Sequence, residues 1–352
     1  MAVDHPGRPR LEDVARAAGV SASTASRVLN GSPRKVAEEF RVRVLDAAER
    51  VGYTTNLAAQ ATARGHYPAI GLVVGDIRDQ FFARVTSGVV AEAGRRGLVV
   101  NLLSTHGDDE RERRLVHDLR RQRPQALILV RKTDDTARAG SSLMQELRSF
   151  EAEGGRVVVV GESPHPLTAV RPPDFDGARA LAVRLVELGY RSFAAIVLEP
   201  RIRSTRDRLD GFRAGLSAAG IALPDSRVHP APATTVAAGV AAAKAYLDSG
   251  DRAELIFAGE DVIGIGTIIG LERAGLRVPA DIAVAGYGGR ALDHLDQEGR
   301  GLTSVRSPLE EMGEASVRLA TEPWPDDEAL AEETAIEPEV QVRDTTPPLA
   351  GP

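Results

Sequence analysis

The chain has 352 residues, more than one domain of ordinary size, and its 43% hydrophobic and 27% charged composition suits a globular protein with a sizeable core. With 0 cysteines it excludes a disulfide framework, cysteine-ligated zinc, iron–sulfur clusters and thiol catalysis, and its 7 histidines fall singly, without metal-ligand spacing. The net charge of −6 is uneven, since residues 1–66 carry 10 Lys/Arg against 7 Asp/Glu and the remainder 34 against 43. A mildly basic head on an acidic body fits a small nucleic-acid module joined to a body that should not adhere to DNA. No apolar run approaches the roughly 20 residues that span a bilayer, so no membrane partner is expected. The first residues lack the apolar core of a secretory signal, which makes the cytoplasm the expected compartment.

The first predicted element is a short amphipathic helix over 11–18, with Leu11, Val14, Ala15 and Ala18 on one stripe. Gly19 breaks it and supplies the left-handed conformation of a tight turn. Ser21 can cap a second helix from Ala22 to Asn30, which ends at Gly31 and Pro33. A third stripe, Phe40, Val44, Leu45, Ala48 and Val51, closes at Gly52. Three short helices with a Gly-containing turn between the first two form a helix-turn-helix, whose second helix lies in the major groove. Ala22, Ser23, Ser26 and Arg27 then reach base edges, with Ser21, Thr24, Asn30, Arg34 and Lys35 as further DNA contacts. The plainer alternative is a three-helix module used for packing, but such a surface more often carries Glu/Lys pairs than short hydroxyls and one long cation.

Beyond residue 66, β-rich runs alternate with helical stretches: 69–75, 98–103, 126–130, 157–161, 192–198, 255–259 and 282–288. Continuous apolar strands between helices predict parallel sheets covered on both faces. GIGTIIG (264–270) invites a dinucleotide-binding reading, but EDVI separates it from the strand, so small residues inside a buried helix explain it better. The run DDERERR (108–114) reads as a solvated helix start, and His117 as a surface or core histidine.

VARAAGVSASTASRVLNG (14–31), GYTTNLAAQATARG (52–65) and AIGLVVGDIRDQFFARVTSGV (69–89) together resemble the LacI/GalR family of bacterial transcriptional repressors. The resemblance continues through LVELGYRSFAAI (185–196), RDRLDGFRAGLSAAG (206–220), LIFAGEDVIGIGTIIGLERAGLRVPADIAVAGYG (255–288) and LTSVRSP (302–308), leaving out about the last thirty residues. It implies an α plus α/β chain: a three-helix helix-turn-helix domain (1–55), a hinge helix (56–66) and a two-lobed periplasmic-binding-protein-like core (67–345), with 346–352 as a tail. Lobe one is expected over 68–166 and 302–322, lobe two over 167–298 and 324–344.

The resemblance also implies that the hinge helix enters the minor groove and wedges a base step, through Asn56, Ala59 and Thr62. Thr62 stands where the family has a leucine; being smaller and half polar it should wedge poorly, unless Leu57 is recruited instead. In the cleft between lobes, Arg208 matches an arginine that binds effector oxygens, Ser204 a small hydroxyl, and Phe81 and Phe82 an aromatic wall. Glu260 replaces an Asn, Asp261 is retained, and Tyr287 is followed by Gly288 in place of an Asp. Gly161 replaces a polar residue after the fourth strand, and Thr234 an aromatic lid position. Several converging polar groups of a sugar site are thus lost, and Glu260 could simply pair with Arg208 and fill the cleft.

These features predict a repressor that binds a pseudo-palindromic operator in double-stranded DNA as a homodimer or tetramer, tuned by a small molecule, either a sugar or a charged metabolite. The alternatives are a regulator that needs no effector or answers to a protein partner and, more remotely, a free α/β binding protein or enzyme. Neither a phosphate loop at a strand end nor a nucleophile–base pair is evident, so no catalysis, cofactor or metal is expected.

Overall fold

The computed structural model describes residues 9–29, 36–53, 67–131, 141–161, 167–199, 203–289, 301–322, 332–333 and 337–349. The chain divides into two compact units, residues 1–69 with 120–125, and residues 70–119 with 126–352.

The head consists of α1 (Leu11–Ala18), α2 (Ala22–Leu29) and α3 (Glu38–Arg50). Val14, Ala15, Ala18, Ala25, Val44, Ala47 and Ala48 form its core. Gly19 adopts φ 63° at the end of α1, and a Cβ there would stand 2.7 Å from the Arg43 guanidinium. That guanidinium donates to the Ala18 carbonyl at 2.5 Å and so satisfies a helix end. The expected stripe of α3 holds only in part. Val44 and Ala48 are buried with Ala47, whereas Phe40 and Leu45 stay 39% and 46% exposed. Ala25 and Ala47 let the helices approach so closely that a narrow strip of α3 suffices to seal this core.

The second unit holds two parallel sheets. The first has strand order β11-β5-β4-β3-β1-β2, from β1 (Tyr67–Val74), β2 (Val99–Ser104), β3 (Pro124–Arg131), β4 (Arg156–Gly161), β5 (Thr168–Val170) and β11 (Glu332–Glu333). Alternate residues of β3 supply opposite faces. Ala126, Ile128 and Val130 pack with α4 (Gln80–Arg95) and α11 (Leu309–Thr321), while Leu127 and Leu129 pack with α5 (Asp109–Arg121) and α6 (Ser141–Ala152). Each such Leu, Ile or Val side chain contributes about 1.5–3 kcal/mol by leaving water. Burial on both faces is why these strands read as unbroken apolar runs.

The second sheet has order β7-β6-β8-β9, from β6 (Phe193–Leu198), β7 (Val228–Ala231), β8 (Leu255–Ala258) and β9 (Ala283–Ala285). Its faces are covered by α7 (Asp174–Glu187) with α8 (Arg203–Ser217), and by α9 (Val236–Asp248) with α10 (Asp261–Arg273). GIGTIIG lies inside α10, and a Cβ on Gly266 would come within 2.2 Å of the Val236 carbonyl of α9. The glycines there serve close helix packing.

Strand pairing moves the expected lobe boundaries. β5 pairs with β4, so the chain stays in the first sheet through Val170 instead of leaving it at 167. Residues 302–306 belong to the second lobe: Thr303 bridges Ala285, and β10 (Ser304–Arg306) pairs with β12 (Glu339–Gln341), which lies on α7. The pairing of β11 with β5 returns part of 324–344 to the first sheet. The described part of the expected tail, residues 346–349, is docked as well. Thr346 is buried, Tyr190 donates its hydroxyl to the Pro347 carbonyl at 2.9 Å, and the Leu349 amide donates to Leu188.

Residues 109–121 form the expected helix start with an Arg113–Glu110 pair, but Glu112 is not solvated. It is buried 3.4 Å from Arg131, and burial pushes its carboxyl up despite that arginine. His117 is half exposed with Nδ1 3.3 Å from Glu146, a surface contact. No described helix is long and apolar enough to cross a membrane.

Candidate DNA-reading helix and ligand cleft

In the head, α2 follows the Gly19 turn, and Ser21 caps it by accepting from the Thr24 amide at 3.1 Å. The Ser21 hydroxyl also pairs with those of Ser23 and Thr24, each at 2.9 Å. Ala25 points into the core, so the opposite face of α2 is open: Ala22, Ser23 and Arg27 are exposed, and Thr24 and Ser26 half-buried. Of the residues expected to read DNA, Ser21 therefore starts the helix, whereas Ser23 and Arg27 are presented outward. Asn30, Arg34, Lys35, Asn56, Leu57, Ala59 and Thr62 lie outside the described residues, as does the expected hinge helix.

In the body, a cleft open to solvent is lined from both lobes. The start of α4 supplies Asp79, Gln80, Phe81 and Arg84; the second lobe supplies Arg208, Glu260, Tyr287 and Gly288. Pro172, Ser307 and Leu309 come from the segments where the chain passes between lobes. Glu260 lies two residues beyond the end of β8, so this is the strand-end position at which open α/β sheets take ligands.

Arg208 is the centre of the cleft. A Cβ on Gly211 would sit 2.1 Å from the Phe175 carbonyl, so only glycine lets α8 lie this close to α7. That approach sets Arg208 Nε 2.7 Å from Asp174 Oδ1. Nη1 donates to Glu260 Oε1 at 2.6 Å and to the Gly259 carbonyl at 2.9 Å. The guanidinium lies 4.3 Å above the Tyr287 ring, a cation–π contact. Burial opposes the charge on Arg208, but Asp174 and Glu260 outweigh it and hold the group firmly protonated. Burial pushes the Asp174 carboxyl up, with Arg208 pulling the other way, and burial likewise raises the Tyr287 phenol.

Phe81, Arg208, Glu260 and Tyr287 are thus brought together as expected site residues. Three others are placed elsewhere. Phe82 is in the first-lobe core, where its ring occupies the space a Cβ on Gly75 would need. Asp261 is 1% exposed and accepts from the Ser304 hydroxyl at 2.6 Å, tying α10 to β10. Ser204 is half-buried in the first turn of α8 and does not line the cleft. Asp174 was not singled out from the sequence; in PPDFDG it resembles an ordinary acidic residue opening a helix. Its function as a counter-ion emerges only from the packing of α7 on α8.

A helix-turn-helix head joined to a two-lobed body with an interlobe cleft defines a class, the ligand-binding DNA-binding regulators. The chain belongs within it to the LacI family of bacterial regulatory proteins. The model of that family matches residues 10–56, and that of the periplasmic binding protein-like domain matches 182–346. The chain is 31% identical over 318 residues to the HTH-type transcriptional regulator CelR of Thermobifida fusca, covering 89% of this chain and 91% of the relative. It is 27% identical over 316 residues to catabolite control protein A of Priestia megaterium, covering 88% and 91%. Among solved structures, a transcriptional regulator CelR–cellobiose complex is 28% identical with a TM-score of 0.65, covering 96% of this chain and 100% of that one. The lac repressor dimer bound to operator and the anti-inducer ONPF shares the fold, with a TM-score of 0.74 at 24% identity over 97% and 99% of the two chains.

Proposed function

We propose that this LacI-family regulator is a repressor that binds a pseudo-palindromic operator as a homodimer in the cytoplasm, and that a small molecule in the interlobe cleft changes its affinity for DNA. The carrying observation is the outward face of α2, where Ser23 and Arg27 stand exposed on a helix held by Ser21 and Ala25. An arginine on such a helix can donate both arms to one guanine, which discriminates by about 1–3 kcal/mol. One helix-turn-helix covers a half-site, so two copies are needed to span a palindrome. A ligand acts on DNA only through its different affinities for the two lobe arrangements. Relatives named for regulation of transcription, and a relative solved with cellobiose, support a binding function rather than catalysis. Footprinting on DNA flanking the protein's own gene is the test. The wild type should protect a palindrome that Arg27→Ala no longer distinguishes from its mutated copy; equal discrimination by both proteins would overturn the assignment of α2.

A second reading is that the cleft needs no effector. It is favoured by the Arg208–Glu260 pair, which already places a carboxylate where a ligand oxygen would bind.

A further inference from the structure

We propose that the ligand of this cleft is a small organic cation, an amine whose ammonium is taken by Glu260. The inference rests on the reading of the cleft as a ligand site and concerns which chemistry it accepts. Arg84 is held bidentate by Glu310 at 2.8 and 2.7 Å, and Arg208 by Asp174 and Glu260. Among the described residues, the two guanidiniums of the cleft are therefore paired with three carboxylates, Asp174, Glu260 and Glu310. The excess is negative, and it lies on the open side. Asp174 is 5% exposed behind Arg208, whereas Glu260 retains 30% exposure. Only Oε1 of Glu260 is engaged by Arg208, and Oε2 has no hydrogen-bond partner among the described residues.

A neutral polyol gains less here. Its hydroxyl can donate to Oε2, but it brings no positive charge to offset the carboxylate excess. An ammonium supplies that charge. It donates to Oε2 while Oε1 keeps its bond to Arg208, and these charge-assisted hydrogen bonds strengthen one another. Phe81 and Asp79, at the start of α4, line the wall that the first lobe contributes. An amine held by Glu260 is then flanked by side chains of both lobes.

The test pairs cations with neutral compounds of the same shape: glucosamine with glucose, and 1,4-diaminobutane with 1,4-butanediol. Calorimetry on the full-length protein reads affinity. At least one amine should bind roughly tenfold more tightly than its neutral partner. Glu260→Gln should abolish that preference, and Glu260→Asp should retain part of it. A neutral compound that binds as well as its amine, an amine indifferent to Glu260→Gln, or a panel in which no amine binds would each overturn the proposal. Operator footprints with the same compounds separate the two readings. An amine that binds without altering the footprint supports the ligand class and refutes regulation through the cleft; a neutral sugar that releases DNA does the reverse.

Discussion

Arg208→Met removes the cation from a buried cluster while keeping an unbranched side chain of similar reach. In the wild type, Asp174 is 5% exposed and its Oδ1 lies 2.7 Å from Arg208 Nε. Deleting one partner of such a pair costs about 3–5 kcal/mol, because the carboxylate remains buried without compensation. The variant can limit this loss by protonating Asp174, whose carboxyl burial already raises. A folded-state value above the unfolded one stabilises fully below the unfolded value, and that contribution is lost as pH rises through the folded one. The defect of Arg208→Met should therefore be small near pH 4 and grow as the pH is raised. At neutral pH the melting temperature of the body should fall by roughly 10 °C, at about 2–4 °C per kcal/mol. Calorimetric melting from pH 4 to pH 8, with the head transition separated from that of the body, gives the measurement. Arg208→Met combined with Asp174→Leu should recover most of the loss, since the buried carboxylate is gone and only the more exposed Glu260 is left without its partner. A single variant that melts like wild type at every pH would refute the view of Asp174 as a desolvated carboxylate held by Arg208.

Gly211→Ala should destabilise the body by several kcal/mol, because its Cβ would come 2.1 Å from the Phe175 carbonyl; chemical denaturation reads the loss. Ser21→Ala should cost the head about 1 kcal/mol through the lost cap, seen as a lower melting temperature of that unit alone. Thr62→Leu should increase operator bending in circular-permutation gel shifts, since a larger apolar side chain unstacks a base step more fully; unchanged bending would mean that Thr62 is not at the wedge. Ending the chain after Gln341 should lower the melting temperature of the second lobe, because Thr345, Thr346 and the Tyr190–Pro347 hydrogen bond are lost with it.

The first two helices of the head and the strands β1–β4, β6, β8 and β9 were legible because each carries a clear period or lies in a longer apolar run bounded by turns, as the three residues of β9 do in IAVAGYG. The strands that sequence reasoning missed are short. β5, β10 and β12 have three residues each, β11 has two, and β7 contains Pro230, so none offers a window in which alternation can emerge. These short strands also decide where the chain changes lobes, which is why the boundaries moved. In the cleft, Arg208 and Glu260 were readable from RDRLDGF and AGED, and their pairing was one of the stated alternatives. Asp174 was invisible because its position depends on Gly211, 37 residues later, admitting a neighbouring helix. Asp261 and Phe82 matched a site motif but face inward, since a residue's direction is set by local packing, which identity alone does not report.

The interleaving of the lobes bears on how the protein is made. The core of the first lobe is closed only once Leu309–Thr321 has emerged, since Met312 and Ala315 complete a cluster begun at Ile70, and its sheet gains its last strand with Glu332–Glu333. The second lobe waits longer still, for β12 and the Thr345–Leu349 strap that Leu188 and Tyr190 receive. Neither lobe can therefore finish until residues beyond 330 have been made, although the head, built from the contiguous helices between residues 11 and 50, can be complete long before. A nascent chain holds a finished DNA-binding module for most of its synthesis and a half-built body with open apolar faces. Translation that stalls or terminates early would thus release chains whose heads still fit DNA but whose bodies invite chaperones and proteases, a hazard that contiguous lobes would avoid.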